Sequence, residues 1–299
     1  MTSPSGLVIV DKPAGMTSHD VVSRIRRLAG TRRVGHAGTL DPMATGVLVV
    51  GVEQATRLLG YLALTVKEYQ ATIRLGQSTT TDDAEGEPTG GAPATDVARD
   101  RLDAEVALLT GEIMQVPPGV SAIKVNGQRA YKLTRAGAAP EMKPRPVTVH
   151  DFAVTRVASD GDFLDVDATV RCSSGTYIRA LARDLGAALG TGGHLTALRR
   201  TMVGAYDISQ ARTLDQLSER LDLTRLQEAA AAAFPDVQLT QDQAQRMAHG
   251  AQLPLRELPT PAQLPPAPLA AFAPDGSLVA LVTIESDRLR SLAVFPPPP

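Results

Sequence analysis

The sequence predicts an α+β protein in two parts, a mixed domain over residues 1–235 and a small β-rich module over residues 236–299. Three observations carry this. Short apolar runs closed by glycine and proline alternate with stretches at helical spacing through the first part. The composition then shifts, with 12 of the 22 prolines at or after Pro235. At 299 residues the chain is long enough to bury roughly three quarters of its unfolded surface.

Leu7 to Val10 is a four-residue apolar run that Lys12, Pro13 and Gly15 turn, which predicts a strand. A helix follows, because Thr17 and Asp20 form a capping-box pair, Val21, Val22, Ile25 and Leu28 recur on one face, and Gly30 suits the C-terminal cap. Val47 to Val52 reads as a buried strand, Glu53 to Leu64 as a helix and Val66 to Leu75 as an alternating strand. Asp82 to Asp96, rich in Gly, Pro, Thr and acids, predicts an exposed loop, and Val97 to Thr110 a helix stopped by Gly111. Prolines and glycines break residues 112–147 repeatedly, so an irregular hairpin or mobile arm is expected there. Val147 to Val157 and Phe163 to Cys172 predict two strands joined by a Ser-Asp-Gly-Asp turn. A helix over Thr176 to Leu189 ends at Gly190, and further helices fall within 213–234. In the tail, Leu269 to Phe272 and Leu278 to Ile284 flank Pro-Asp-Gly, a hairpin signal, with a third strand at Leu292 to Phe295 and a polyproline-like or disordered end.

Composition excludes several classes. With 43% apolar and 21% charged residues and no run near the roughly 20 apolar residues of a membrane span, no membrane segment is expected, and the N-terminus has no export signal. One cysteine, Cys172, cannot form an intrachain disulfide or a thiolate zinc site, which fits the cytoplasm. The net charge of −2 rules out a simple polycation, yet residues 1–60 hold 7 basic and 4 acidic residues and residues 112–147 hold 6 and 2. Separate basic segments suit a polyanion cleft built from several loops, but on charge alone solvated surface charge is the better explanation, since such local asymmetries are common. The phosphate-loop, dinucleotide, zinc-protease and serine-hydrolase signatures are absent.

What remains is the loop Arg33 to Gly46, with three glycines and a single acid, Asp41. Gly35, Gly38 and Gly46 permit tight turns, and Pro42 biases Asp41 away from helical geometry, so a carboxylate is held on a loop. An Asp-Pro pair also simply initiates turns. Tyr69 shares a strand face with Ala71, Ile73 and Leu75, a core pattern; Arg179 stands four residues before Arg183 as a surface helical arginine would; Leu198 reads as core.

The G-H-x-G-x-L-D-P form of this loop resembles motif II of pseudouridine synthases and is similar to the TruB family, the tRNA pseudouridine-55 synthases. Agreeing stretches run in unbroken order from residue 6 to about 210: Asp11 to Ser18, Lys67-Glu68-Tyr69, Ser121 to Lys124, Ser174 to Arg179 and Leu198-Arg199-Arg200. The resemblance implies a catalytic fold with a bent, mainly antiparallel mixed sheet flanked by helices, and an RNA-binding PUA-like module in the tail. It implies that uridine 55 in the T loop of tRNA is flipped out and isomerised by cleavage of the C1'–N1 bond and rejoining through C5.

Under that resemblance Asp41 is the catalytic carboxylate, needing no metal or other cofactor. Arg179 pairs with it and keeps it ionised, lowering its pKa. Tyr69 stacks on the base, Tyr177 joins the uracil pocket and Leu198 closes it with an apolar wall. His36, on a mobile glycine loop, intrudes into the space the base vacates, and Lys12 and Lys124 contact phosphate or loop. The partner is the T-arm stem-loop of tRNA, met by a cytoplasmic monomer.

Overall fold

The computed structural model describes residues 5–119, 124–125, 128–129, 142–258 and 268–296. In chain order the first strands are β1 (Gly6–Lys12), β2 (Val34–His36), β3 (Thr45–Val52), β4 (Lys67–Leu75), β5 (Ser78–Thr79), β6 (Pro88–Gly90) and β7 (Gly111–Gln115). The short pair β8 (Lys124–Val125) and β9 (Gln128–Arg129) leads to β10 (Arg145–Asp160), β11 (Phe163–Cys172), β12 (Gly193–Val203), β13 (Tyr206–Asp207) and β14 (Thr224–Arg225). The main sheet runs β14-β1-β3-β12-β4-β11-β10-β7, with β13 on β12 and β2 on β3. Its only parallel ladder among the described residues joins β3 to β12, at Thr45 and Gly46.

Helix α1 (Ser18–Ala29) forms as its sequence requires: Thr17 and Asp20 make the reciprocal capping box, and Gly30 closes the end at φ 64°. Its apolar stripe, Val21, Val22 and Ile25, packs with Val8, Val10, Leu48 and Val50 of β1 and β3. The opposite side chains of those strands, Leu7, Ile9, Val47 and Val49, pack against Leu58, Leu59 and Leu62. Both faces of this half of the sheet are therefore covered, which is why β1 and β3 read as continuous apolar runs. β4 alternates instead: Tyr69, Ala71, Ile73 and Leu75 enter a core shared with Leu181, Leu185 and Leu189 of the helix Ile178–Leu189.

Several expectations are corrected. The predicted helix over Glu53 to Leu64 is a 3-10 turn, Glu53–Arg57, followed by the four-residue α2 (Leu59–Leu62), because Glu53 enters with a left-handed φ of 53°. α3 (Arg99–Leu108) and α4 (Ile178–Leu189) follow prediction closely. The helices expected within 213–234 are α5 (Leu214–Glu219) and α6 (Leu226–Ala233), with β14 between them. β12, at the centre of the sheet, has no counterpart in the sequence reading. Two register shifts against β4, at Leu195/Ala197 and Arg200/Met202, break the period of two that would reveal it. The Asp82 to Asp96 loop is not uniformly exposed, since Asp83 is only 3% accessible. Much of the predicted arm, 120–123, 126–127 and 130–141, and the closing 297–299 lie outside the described residues, as does the side chain of Lys124.

The tail adds β15 (Asp236–Gln238), α7 (Gln241–Ala248), β16 (Leu253–Pro254), β17 (Leu269–Phe272), β18 (Leu278–Glu285) and β19 (Arg288–Val294), in the sheet order β15-β17-β18-β19-β16. The Pro-Asp-Gly hairpin forms, with Gly276 at φ 80°. Ala270, Phe272, Leu278, Leu281 and Phe295 share one apolar cluster with Ile9, Val49 and Phe234. Among the described residues no helix is long and apolar enough to cross a membrane.

Two glycines allow the close approaches that shape the site. A Cβ on Gly46 would stand 2.2 Å from the Arg200 carbonyl oxygen, and its φ is +97°; one on Gly186 would stand 2.2 Å from the Gly193 amide. Gly46→Ala is expected to lower stability by about 3 kcal/mol or more, read as a fall in melting temperature, because it forces β3 off β12. Ending the chain after Pro235 is expected to give a less stable protein that exposes apolar surface, read by thermal melting and dye binding, because Ile9 and Val49 lose their cover.

Candidate active site

The loop carrying Asp41 is clipped from three sides. Buried Lys12 donates from its ammonium to the carbonyls of Met16 at 2.6 Å, Pro13 at 2.9 Å and Pro42 at 3.2 Å. Ser18 Oγ accepts from the Leu40 amide at 2.9 Å and donates to the Leu40 carbonyl at 3.1 Å. Arg200, 1% exposed, donates to the carbonyls of Val47 at 2.7 Å, Gly38 at 3.0 Å and Thr39 at 3.5 Å. With backbone bonds Gly15 to Pro42 and Ala44 to Asp41, little freedom is left to the turn.

Asp41 Oδ2 lies 3.0 Å from Nε of Arg179, near the start of α4. The same guanidinium lies 3.3 Å from Oδ2 of Asp83 and donates to the Thr81 carbonyl at 2.7 Å. One buried cation thus sits between two carboxylates, of which Asp83 is buried and Asp41 is 37% exposed. Asp41 opens onto a pocket of about 260 Å³, bounded by Gly38 to Leu40, Ala63, Lys67, Tyr69, Gly175 to Ile178, Leu198 and Arg200. That lies just below the roughly 300–1,000 Å³ typical of drug-sized ligands.

The structure brings Asp41, Tyr69, Tyr177, Arg179 and Leu198 to this one pocket. Tyr69 is buried in the β4 core, as its strand pattern predicts, and also forms pocket wall. The Tyr177 backbone is fixed by buried Gln115 at the end of β7, whose amide accepts from Tyr177 N at 2.8 Å and donates to Tyr177 O at 3.1 Å. Leu198 is buried in the same core.

Two expected residues fall elsewhere. Lys12 is a corrected assignment: with no exposed surface and three carbonyl acceptors, its ammonium ties down the Asp41 loop and does not face a phosphate. His36 is not on a mobile loop; it pairs with Val50 in β2, meets His19 edge-on at 5.6 Å between centroids, and is outside the pocket wall. Asp83, Gln115, Lys67 and Arg200 were missed as site residues. No local signal marks Asp83 as turning inward, whereas Lys67 and Arg200 stand inside the motifs Lys67-Glu68-Tyr69 and Leu198-Arg199-Arg200, which single them out.

Arg179 lowers the Asp41 pKa as expected, but burial outweighs it. Burial pushes the Asp41 carboxyl above its usual range, and Asp83 adds to the rise; Arg179 and Lys12 oppose it without cancelling it. Burial raises the Tyr69 hydroxyl, against the pull of Arg200, and lowers His36. Lys12 and Lys67 are each lowered to about 8, chiefly by burial. The arrangement offers a carboxylate poised to exchange a proton or attack carbon, beside an aromatic platform in a partly open pocket.

Residues 26–178 match the family model of the N-terminal domain of TruB family pseudouridylate synthases, residues 179–240 that of the tRNA pseudouridylate synthase B C-terminal domain, and residues 234–296 that of the C terminus of tRNA pseudouridine synthase II. The tRNA pseudouridine synthase B of Thermobifida fusca is 61% identical over 97% of this chain and 98% of its own length, and that of an Arthrobacter species 59% identical over 98% and 97%. Among solved structures, a chain in a Cbf5-Nop10-Gar1 complex superposes with a TM-score of 0.75 at 27% identity, covering 97% of this chain and 84% of that one. A chain in an H/ACA ribonucleoprotein bound to a substrate RNA containing 2'-deoxyuridine gives 0.73 at 26%, covering 98% and 85%. Sequence, fold and pocket agree: the chain belongs to the TruB family of pseudouridylate synthases.

Proposed function

We propose that this chain is a tRNA pseudouridine synthase that isomerises uridine 55 of the T loop. The observation that carries the reading is Asp41, 3.0 Å from a buried arginine and open to a pocket walled by two tyrosines. A pocket of this size admits one everted nucleoside, and flipping that nucleoside from its stack costs a few kcal/mol. Stacking on Tyr69 returns about 1 to 3 kcal/mol. Tyr177 and Leu198 hold the other face and edge of the base. His36 is read as the residue that fills the vacated stack, and the basic segment 112–147, with Lys124, as a contact to the T-arm backbone. The protein is read as a monomer acting in the cytoplasm. The 236–299 module is read as PUA-like and as adding RNA contact.

Asp41 is the catalytic carboxylate, and its ionised form is the active one. Burial and Asp83 raise its pKa, so the active form is lost as pH falls through that raised value. Arg179 limits the rise and fixes the direction of the carboxylate, while Asp83 and the Thr81 carbonyl hold Arg179 in turn. The three groups act as one unit.

Asp41→Asn is expected to abolish pseudouridine at position 55, by at least about a thousandfold in single turnover, with RNA affinity retained. Position-resolved pseudouridine mapping and filter binding on one tRNA transcript check both; an active variant rejects the reading. Because the raised pKa means that the charged carboxylate disfavours the folded state above that pKa, the same variant is expected to melt no lower than the parent at pH 7. Arg179→Ala is expected to lower turnover about a hundredfold and to move the acid limb of the pH profile upward, since the group opposing the rise is removed. A limb that stays in place denies Arg179 that role.

A further inference from the structure

The charges around the pocket are segregated. On one side stand Asp41 and Asp83 with Arg179 and Lys12, cations and acids together. On the other stand Lys67 and Arg200, both buried and, among the described residues, neither paired with a carboxylate. Lys67 Nζ donates to the carbonyls of Thr65 at 2.7 Å and Ala63 at 2.8 Å, just past the end of α2, and Arg200 donates to the carbonyls of Val47 and Gly38 and hydrogen-bonds the Tyr69 hydroxyl. Carbonyls satisfy hydrogen bonds but do not neutralise a buried charge. The charged group acting on Lys67 is Arg200, which repels it; Cys172, its register partner across the β4–β11 ladder, is a buried thiol whose pKa is pushed up to about 11. Tyr69 lines the same pocket, hydrogen-bonded by Arg200.

From this segregation, and resting on the synthase reading above, we infer that the Lys67 ammonium, backed by Arg200, is the electrostatic acceptor for the detached uracil, donating its third N–H to a carbonyl oxygen of the base as negative charge forms there. Breaking the C1'–N1 bond sends its electron pair to N1, where it delocalises onto O2 and O4, and leaves C1' electron-poor on the Asp41 side. Rejoining returns a pair from C5 to C1'; C5 then loses its proton and N1 ends protonated, so nothing is gained or lost overall. A polarised pocket favours this heterolysis, because fixed cations aimed where charge develops need no reorganisation as it appears. The alternative role for Lys67 is to cap the carbonyls that follow α2, which would make it purely structural.

Sulfur substitution separates the two. Single-turnover rates are measured on a T-arm stem-loop carrying uridine, 2-thiouridine or 4-thiouridine at the target, a thiocarbonyl being the weaker acceptor. The full chain is compared with Lys67→Gln, which keeps an amide donor for the two carbonyls, and with Lys67→Met should the amide variant not fold. On uridine the neutral variant is expected to lose about a hundredfold in rate, with RNA affinity within about threefold, and Lys67→Arg to recover at least about tenfold of that loss. On one of the two thio substrates the difference between parent and variant is expected to shrink at least about tenfold, identifying the oxygen. A loss equal on all three substrates, a loss of affinity in place of rate, or no loss on uridine overturns the inference. A parent that forms no pseudouridine on uridine overturns instead the synthase reading, so the two failures are distinct.

Discussion

Arg179 carries one positive charge between two carboxylates, and the site is built around that shortage. If Asp83 were absent, Asp41 would hold the guanidinium alone and its carboxyl would sit lower; with Asp83 present at 3.3 Å, the cation is shared. Sharing leaves Asp41 oriented yet incompletely stabilised, which suits a group that must act on a substrate more than one that must only pair. It also explains why breaking the triad is not equivalent at its three members. Removing the central arginine leaves two acids near each other in a poorly solvated place, where the loss of a buried partner commonly costs about 3 to 5 kcal/mol. Removing Asp41 leaves a complete ion pair behind.

The frame that holds this triad is backbone as much as side chain. Asp41 sits between two anchors reached from distant parts of the chain: Lys12 at the end of β1 and Arg200 in β12, each donating to carbonyls on the turn. Gly46 lets β12 pass against β3, and Gly186 lets α4, which presents Arg179, pass against the start of β12. The two functional side chains are thus registered against the same strand from opposite sides. A loop alone would be a soft support for catalysis; here it behaves as part of the sheet.

Local signals made parts of this legible. α1 could be read residue by residue because its capping box, apolar stripe and terminal glycine are all local, and β4 because only one of its faces is buried. Asp41, Arg179, Tyr69 and Tyr177 were accessible through motif resemblance, but their meeting in one pocket was not. β12 escaped because bulges disrupt its alternation and because its arginines look like surface residues until Arg200 is found buried. Asp83 escaped because glycine, threonine and acids signal a solvated loop, and only the tertiary position of Arg179 turns it inward. Lys12 was placed at phosphate or loop by the resemblance, and local sequence cannot show that the carbonyls of Pro13, Met16 and Pro42 take its donors.

The pocket is an expensive feature for a fold of this size, since it keeps a carboxylate above its ordinary pKa and two cations without acids in poorly solvated surroundings. Each of these disfavours the folded state when the pocket is empty. The compensation lies away from the chemistry, in the half of the sheet where β1 and β3 are covered on both faces, one by α1 and the other by α2, α6 and the C-terminal sheet. This division accounts for the placement of the tail. Its β17 and β18 side chains complete the core under Ile9 and Val49, in the two strands whose shared end carries Lys12, closing β1, and the Asp41 turn, leading into β3. The C-terminal module is thus part of the support that allows an electrostatically unfavourable pocket to persist.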